Sequence, residues 1–253
     1  MRKMLSILSL NFKQAARDKF FLGAGFFFFF YLAFCLLLES LSPGESEKVL
    51  RSAGLSGIEL TAVFLSIFSF TFSFHREKES RILEVYLTDF PRASYLTGKL
   101  AGYLLVSLLY IILCAAGYGG ILIARGSFHP ACIAALYPVF LKVALVIGWT
   151  AVFSCLFSFW MVSLLCSFSL YIAVELLPAA LKIISTYGGA GEKFFIGILR
   201  AFLPAFGRLD IKAAAVYGQL PPAGFFLLIT LYAIIYGLFL WTINLCIFQK
   251  KEY

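Results

Sequence analysis

The chain has 253 residues, of which 62% are hydrophobic and only 13% are Asp, Glu, Lys or Arg. Soluble domains carry about 25% charged and about 45–50% apolar residues, so a soluble fold of this length could not bury so much apolar surface. The net charge of +8 does not call for a nucleic-acid partner, because basic residues beside anionic lipid headgroups account for much of it.

The residues before the first long apolar run predict a helix that lies along the membrane surface. Leu5, Leu8 and Phe12 repeat at helical spacing, while Lys13 and Arg17 share another face. This pattern is typical of an interfacial amphipathic helix. A frayed basic tail is the alternative. The short apolar stretch is not followed by a small-x-small site, so we do not expect a cleaved signal peptide.

Six long apolar runs follow and predict six transmembrane helices, since about 20 apolar residues cross the hydrocarbon core. The runs cover residues 20–38, 57–74, 100–124, 135–157, 161–181 and 222–248. They are too long and too unpatterned for the strands of a β-barrel. We therefore predict an all-α membrane protein with one transmembrane domain over residues 1–253.

The loop at residues 75–99, between the second and third runs, is rich in both signs of charge. Within it Ile82, Val85, Tyr86 and Asp89 fall at helical spacing. A short amphipathic helix of this kind is suited to docking into the groove of another protein. The alternative is a solvated loop without a partner.

Two charges lie well inside predicted spans. Lys142 and Glu175 both fall roughly 10–12 Å from the same membrane face, at 1.5 Å per helical residue. Because intramembrane charges usually face a partner or a cavity, we predict an ion pair that holds the fourth and fifth spans together. Snorkelling of Lys142 to the headgroups is the alternative. Glu39 and Glu59 lie near the ends of their runs and are expected to face solvent.

The segment from residue 185 to 220 is rich in glycine and proline. Lys193, Gly197 and Arg200 form a narrow polar stripe on an otherwise apolar stretch of roughly 10–12 residues, which is too short to cross a bilayer. We predict a short interfacial or re-entrant helix before the last span.

The distribution of Lys and Arg predicts that both chain ends lie in the cytoplasm. Twelve of these residues fall before the first run, between the second and third runs, or after the last. Eight fall in the regions on the other side. Basic residues collect on the cytoplasmic side of short loops, which favours this orientation.

The loop at residues 75–99 also carries an ordered set of residues. They are Glu79, Ile82, Arg92, Tyr95, Leu96, Gly98 and Lys99. This set resembles the loop of type-2 ABC transporter permeases, in which a glutamate precedes Thr-Ile or Thr-Leu, then Leu-x-x-Pro-x-x-Arg, then Tyr-Leu-x-Gly-Lys. The chain departs from that pattern at two places: Arg81 stands for the usual Thr and Asp89 for the usual Pro.

The resemblance continues along most of the chain. Arg17 and Asp18, at the end of the N-terminal amphipathic stretch, are similar to the end of the family's elbow helix. Residues 202–206 and 210–218 are similar to the segment that precedes the last span in many members. Six spans with cytoplasmic ends also match the family.

The resemblance implies a transporter of two permease subunits, as a homodimer or pseudo-dimer, with two ATPase subunits in the plasma membrane of a bacterium or archaeon. The ATPases would grip the loop at residues 75–99, bind ATP and Mg²⁺ themselves and drive export. The implied ATPase-coupling residues are Glu77, Glu79, Arg81, Glu84, Asp89 and Arg92.

No enzymatic chemistry is expected on this chain. Gly98-Lys99 is followed by leucine and lacks the earlier glycine of a phosphate-binding loop, and neither HExxH nor GxSxG occurs. The six cysteines include no CxxC pair, so we expect no metal site and no cofactor. Gly98 and Gly102 form a GxxxG where the third span begins, which predicts close helix packing; ordinary membrane glycines are the alternative.

Two other functions remain open from the sequence: a membrane scaffold or assembly protein, and a self-contained secondary transporter. The apolar spans mildly favour lipid-like or hydrophobic cargo, but no residue identifies the substrate.

Overall fold

A computed structural model describes residues 19–41, 44–187 and 203–251. Every regular element in these ranges is helical. The elements are α1 (Lys19–Ser40), α2 (Ser46–Glu79), α3 (Ile82–Asp89), α4 (Arg92–Ala124), α5 (Pro130–Leu156), α6 (Trp160–Tyr187), a 3-10 turn (Phe206–Arg208), α7 (Lys212–Val216) and α8 (Ala223–Lys250).

Six of these helices are long and apolar enough to cross a membrane: α1, α2, α4, α5, α6 and α8. The prediction of an all-α, multi-pass membrane protein is therefore confirmed. The helices extend beyond the apolar runs, most clearly in α2, which begins at Ser46 and not at Gly57. Polar residues such as Glu47 and Arg51 lie before the apolar run, but they are still part of the helix.

The centre of the bundle is formed by α2 and α5, which pack against each other and against most of the other long helices. They carry the most buried apolar windows, whereas α1, α6 and α8 expose most of theirs. The exposed face of α1 includes Phe26, Phe27, Phe29 and Phe30. Such a face is suited to hydrocarbon, because lipid replaces water as its solvent.

The bundle has two distinct ends. At the loop end, His75 of α2 lies 3.3 Å from the carbonyl oxygen of Phe157, and the amine of Lys251 donates to the carbonyl of Leu156. At the far end, the Arg51 guanidinium donates to the carbonyls of Ser127 and Val216. The loop at residues 75–99 and the end of α8 therefore share one end of the bundle.

Glycines allow two aromatic rings to lie directly on α2. A Cβ atom at Gly54 would meet the ring of Tyr118 at 2.1 Å, and one at Gly57 would meet the ring of Tyr31 at 2.1 Å. The two tyrosine hydroxyls then donate to carbonyls of α2. The close approach of α1 and α4 to α2 depends on these glycines, as small residues commonly permit between membrane helices.

The segment before the last span folds onto the bundle. The turn at residues 206–208 and helix α7 bury Phe206, Leu209 and Ala215, and α7 packs against α2 and α5. The predicted short helix with Lys193 and Arg200 lies outside the described residues. So does the predicted N-terminal interfacial helix, including the proposed elbow residues Arg17 and Asp18.

Candidate functional site

The loop at residues 75–99 contains a folded helix, α3, where the sequence spacing predicts one. A two-residue turn joins α2 to α3, and Arg81 in this turn has a φ of 55°, in the left-handed region. Leu83 is buried with 1% exposure, and the ring of Tyr86 lies 6.0 Å from that of Tyr95. The buried Leu83 and the Tyr86–Tyr95 ring pair lie on the side of α3 that packs against α2 and α4.

The opposite side of α3 is exposed and carries apolar residues among charges. Ile82 is 46% exposed and Val85 is 63% exposed. The exposed charged neighbours are Glu79, Arg81 and Glu84. We call these five residues the α3 face. Asp89 is the last residue of α3, and its side chain lies outside the described part of the structure.

The predicted ATPase-coupling residues include Glu77, but its side chain points into the bundle and not to the surface. Its side chain is only 6% exposed and pairs with Lys99, whose Nζ lies 2.6 Å from Oε2 of Glu77. The Tyr95 hydroxyl donates to the same oxygen at 2.5 Å, and Ser73 donates to Oε1 at 3.2 Å. Glu77 is therefore held by three donors inside the bundle, and little of its side chain is open to a partner protein. We call these four residues the loop-end cluster.

The spacing of Tyr95 and Lys99 explains how the Glu77 carboxylate accepts hydrogen bonds from both side chains. Residues four apart lie on the same helix face, so α4 presents a hydroxyl and an amine side by side. Lys99 has no exposed surface, and its amine also lies 5.4 Å from the ring centre of Phe74. A buried charge needs a paired, hydrogen-bonded environment. The sequence analysis did not predict this cluster, and the Tyr-x-x-x-Lys spacing is the signal from which it could have been found.

Arg92 also has a partner within the chain. Its Nη1 lies 3.2, 2.7 and 3.2 Å from the carbonyl oxygens of Phe248, Gln249 and Lys251. Two of these carbonyls belong to the last turn of α8 and the third to Lys251, the residue after it. A cation there favourably meets unpaired acceptors and the negative end of the helix dipole. Arg92 therefore ties the loop to the end of α8, which the sequence pattern did not predict.

Gly98 and Gly102 are both buried in α4, near the loop-end cluster. The sequence predicts close helix packing at these positions.

A second buried cluster lies towards the far end. The structure brings Lys142 and Glu175 together, with Nζ of Lys142 2.9 Å from Oε2 of Glu175. The same amine lies 2.5 Å from Oε1 of Glu59, and the Tyr171 hydroxyl donates to that oxygen at 3.2 Å. The Lys212 amine lies 2.7 Å from the other oxygen, Oε2 of Glu59. We call these five residues the far-end cluster.

Glu59 corrects the expectation that it faces solvent. Its side chain is 3% exposed and sits between two lysines. The expectation took α2 to begin at Gly57, but the helix begins at Ser46. At 1.5 Å per residue, Glu59 lies about 20 Å along the helix from that start.

Lys212 joins the cluster from outside the spanning helices. Burial lowers its pKa, but the charge of Glu59 and the hydrogen bond to it outweigh burial and raise the pKa above the ordinary value. The lysine is therefore charged at neutral pH. Asp210 lies 3.8 Å from the same amine and accepts a hydrogen bond from the backbone N–H of Lys212, which fixes the start of α7.

Two largely apolar cavities lie between elements of the bundle. One, of about 280 Å³, lies between α6 and the turn at residues 206–208 and is lined by Val174, Pro178 and Phe206. The Phe206 ring also lies 5.4 Å from the Lys142 amine, so this cavity adjoins the far-end cluster. The other, of about 500 Å³, lies between α1 and α2 and is lined almost wholly by apolar groups.

Fold and clusters together define a multi-pass membrane protein with charges paired inside the bundle. Among the described residues, no three His, Cys, Asp or Glu side chains come together as a metal site would require. No protein-family model matches the chain, and neither does any curated protein.

Proposed function

We propose that the chain is the permease subunit of an ATP-driven ABC transporter, an exporter, and that a separate ATPase acts on it through the loop at residues 75–99. The observation that carries the proposal is the α3 face. Ile82 and Val85 stand exposed among three charged side chains, on a helix that is firmly anchored on its other side. An apolar anchor surrounded by charges is what a docking helix offers to a groove.

The geometry also supplies a route from the α3 face to the membrane. The loop-end cluster joins α2 to α4 beside α3, so a force on α3 moves both long helices together. The same helix α2 carries Glu77 at the loop end and Glu59 in the far-end cluster, 18 residues apart, or about 27 Å. A rigid helix of this length can pass a displacement from one cluster to the other.

In this proposal the chain performs conformational work and no chemistry. ATP and Mg²⁺ bind the ATPase, and two permease subunits, identical or related, form the pathway. The apolar spans mildly favour lipid-like or hydrophobic cargo, and no residue identifies the substrate. The first test is a mild-detergent purification of the tagged chain, followed by mass spectrometry and a vanadate-sensitive ATPase assay. A stoichiometric, active ATPase supports the proposal. A chain that purifies without a nucleotide-hydrolysing partner contradicts it and favours a scaffold or a secondary transporter.

Substitutions on the α3 face test the docking site itself. Val85→Asp places a charge where the apolar anchor would be buried, and we expect the stimulated ATPase activity to fall about tenfold, the effect of losing an interface anchor. Glu79→Ala should lower the stimulated ATPase activity less, since charges at the rim of an interface contribute little to binding. Thr88→Ala is the control, because Thr88 is exposed on the same helix and bonds only to the Glu84 carbonyl in its own turn. Equal activity in Val85→Asp and Thr88→Ala removes the α3 face as the docking site.

The far-end cluster favours a second candidate, a secondary transporter. Ionisable residues inside a membrane commonly mark ion or substrate pathways. The two functions separate in proteoliposomes: uptake driven by an ion gradient without any ATPase supports the secondary transporter, whereas transport that needs the partner and ATP supports the permease.

A further inference from the structure

The buried carboxylate of Glu59 receives its two cations from different parts of the fold. Its Oε1 is held by Lys142 of α5 and by Tyr171 of α6, both on long helices. Its Oε2 is held at 2.7 Å by Lys212, on the five-residue helix α7. One oxygen is therefore built into the bundle, while the other depends on a segment that packs onto the bundle from its far end.

The charges of the far-end cluster balance only while Lys212 is in place. Glu59 and Glu175 carry two negative charges against the single positive charge of Lys142 when the Lys212 amine is left out. A buried charge without a partner is strongly unfavourable in a protein interior and inside a membrane. Another cation at Oε2 of Glu59 would restore the balance.

The surroundings define which cation fits. An ammonium is compact and presents three donors, as the Lys212 amine does. The Glu175 side chain is 33% exposed, so the cluster is not sealed from outside. The 280 Å³ cavity beside it is lined mainly by apolar groups, among them Val174, Pro178 and Phe206, which suits a short alkyl or aryl body. Arg208 also lines this cavity, so the body of the ligand and not its charge would lie there.

We propose that Oε2 of Glu59, in the cluster that Tyr171 and Glu175 complete, is an intramembrane binding site for a primary ammonium group with a short apolar body, and that the Lys212 amine occupies this oxygen in the present conformation. A cationic amphiphile and the segment at residues 206–216 then compete for Glu59. The site goes beyond the proposed function, because it requires neither the ATPase nor the α3 face.

The test uses Lys212→Met, which removes the cation and keeps the length of the side chain. The full chain is placed in nanodiscs, and its melting temperature is followed by tryptophan fluorescence with n-hexylammonium at pH 7. We expect a rise of about 3–5 °C at ten times the dissociation constant, from the stabilisation that a ligand gives the folded state. Hexanol, which partitions into the bilayer without a charge, should give no such rise.

Two controls make the result specific. The double variant Lys212→Met with Glu59→Gln lacks the carboxylate. Hexylammonium should therefore raise its melting temperature no more than hexanol does. Hexyltrimethylammonium carries the charge without N–H donors and should bind Lys212→Met at least tenfold more weakly. Equal shifts in the single and double variants, or no shift in the single variant, overturn the proposal.

The unaltered protein gives an answer even where Lys212→Met does not fold. Displacement of Lys212 would release α7, so hexylammonium should speed amide hydrogen exchange at residues 209–216 by at least threefold relative to hexanol. Exchange that is unchanged by the amine contradicts the competition between ligand and segment.

Discussion

At the scale of single residues, the loop-end cluster is a buried ion pair whose partners are nearly free of solvent. Lys99→Met leaves Glu77 buried without its cation, and Glu77→Gln leaves Lys99 without its anion. We expect each change to lower the free energy of unfolding by about 3–5 kcal/mol, as for other broken buried pairs. SDS titration of the protein in mixed micelles measures this.

The double variant Lys99→Met with Glu77→Gln removes both charges at once. It should be clearly less destabilised than the sum of the two single changes, because neither charge is left alone. Additive losses would show that the two residues do not act as a pair.

The far-end cluster predicts unequal roles for its two carboxylates. Glu59 is 3% exposed and faces two lysines and a tyrosine, whereas Glu175 is 33% exposed and faces Lys142. Glu59→Gln should therefore cost about 3–5 kcal/mol, and Glu175→Gln about 1–2 kcal/mol. The same SDS titration compares them, and a larger loss for Glu175→Gln would contradict the geometry.

The sequence predicts part of this cluster for a clear physical reason. Lys142 and Glu175 lie at matching depth on adjacent antiparallel helices, and depth follows from counting residues along a helix. The burial of Glu59 was not predicted, because an apolar run does not locate the start of a helix that extends beyond it. The contact of Lys212 with Glu59 was not predicted either, because it depends on how an irregular segment folds back onto the bundle. Sequence periodicity carries no information on that fold.

At the scale of elements, two glycines set how closely helices approach α2. Gly57→Ala would place a methyl group 2.1 Å from the Tyr31 ring, so the ring must move and its hydroxyl loses the Ala53 carbonyl. We expect a loss of about 1–3 kcal/mol, the usual cost of overpacking. Gly25→Ala is the matched control, since a Cβ there meets nothing within 4 Å. Similar melting temperatures for the two variants would contradict the close packing.

The elements themselves were largely accessible from the sequence. Apolar runs locate the six spans because hydrocarbon demands about 20 apolar residues from any helix that crosses it. The spacing predicted one face for Ile82, Val85 and Tyr86, but in the structure Ile82 and Val85 are exposed while Tyr86 packs against Tyr95. Helical spacing alone does not show which neighbour a side chain meets. Leu83 and Tyr86, on the anchored side of α3, settle it in the structure.

At the scale of the whole molecule, the two ends of the bundle should lie on opposite sides of the membrane. Contacts of Arg92 and Lys251 put the loop at residues 75–99 and the end of α8 together, while Arg51 marks the other end. The excess of Lys and Arg around that loop predicts that the loop end faces the cytoplasm.

Cysteine labelling in cells tests this orientation. In a background without the six native cysteines, Tyr217→Cys at the far end should react with an impermeant maleimide in intact cells. Thr88→Cys on α3 should react only after the cells are permeabilised. The reverse pattern would invert the predicted orientation.

The bond between Arg92 and the end of α8 bears on how the protein is made. The guanidinium emerges from the ribosome at least 156 residues before the carbonyls that bind it. At synthesis rates of about 5–20 residues per second, the carbonyls at the end of α8 are made on the order of 8–30 s after Arg92. A nascent chain thus exposes the loop at residues 75–99 before Arg92 is bound, and insertion of the last helix completes the surface to which the proposed ATPase would bind.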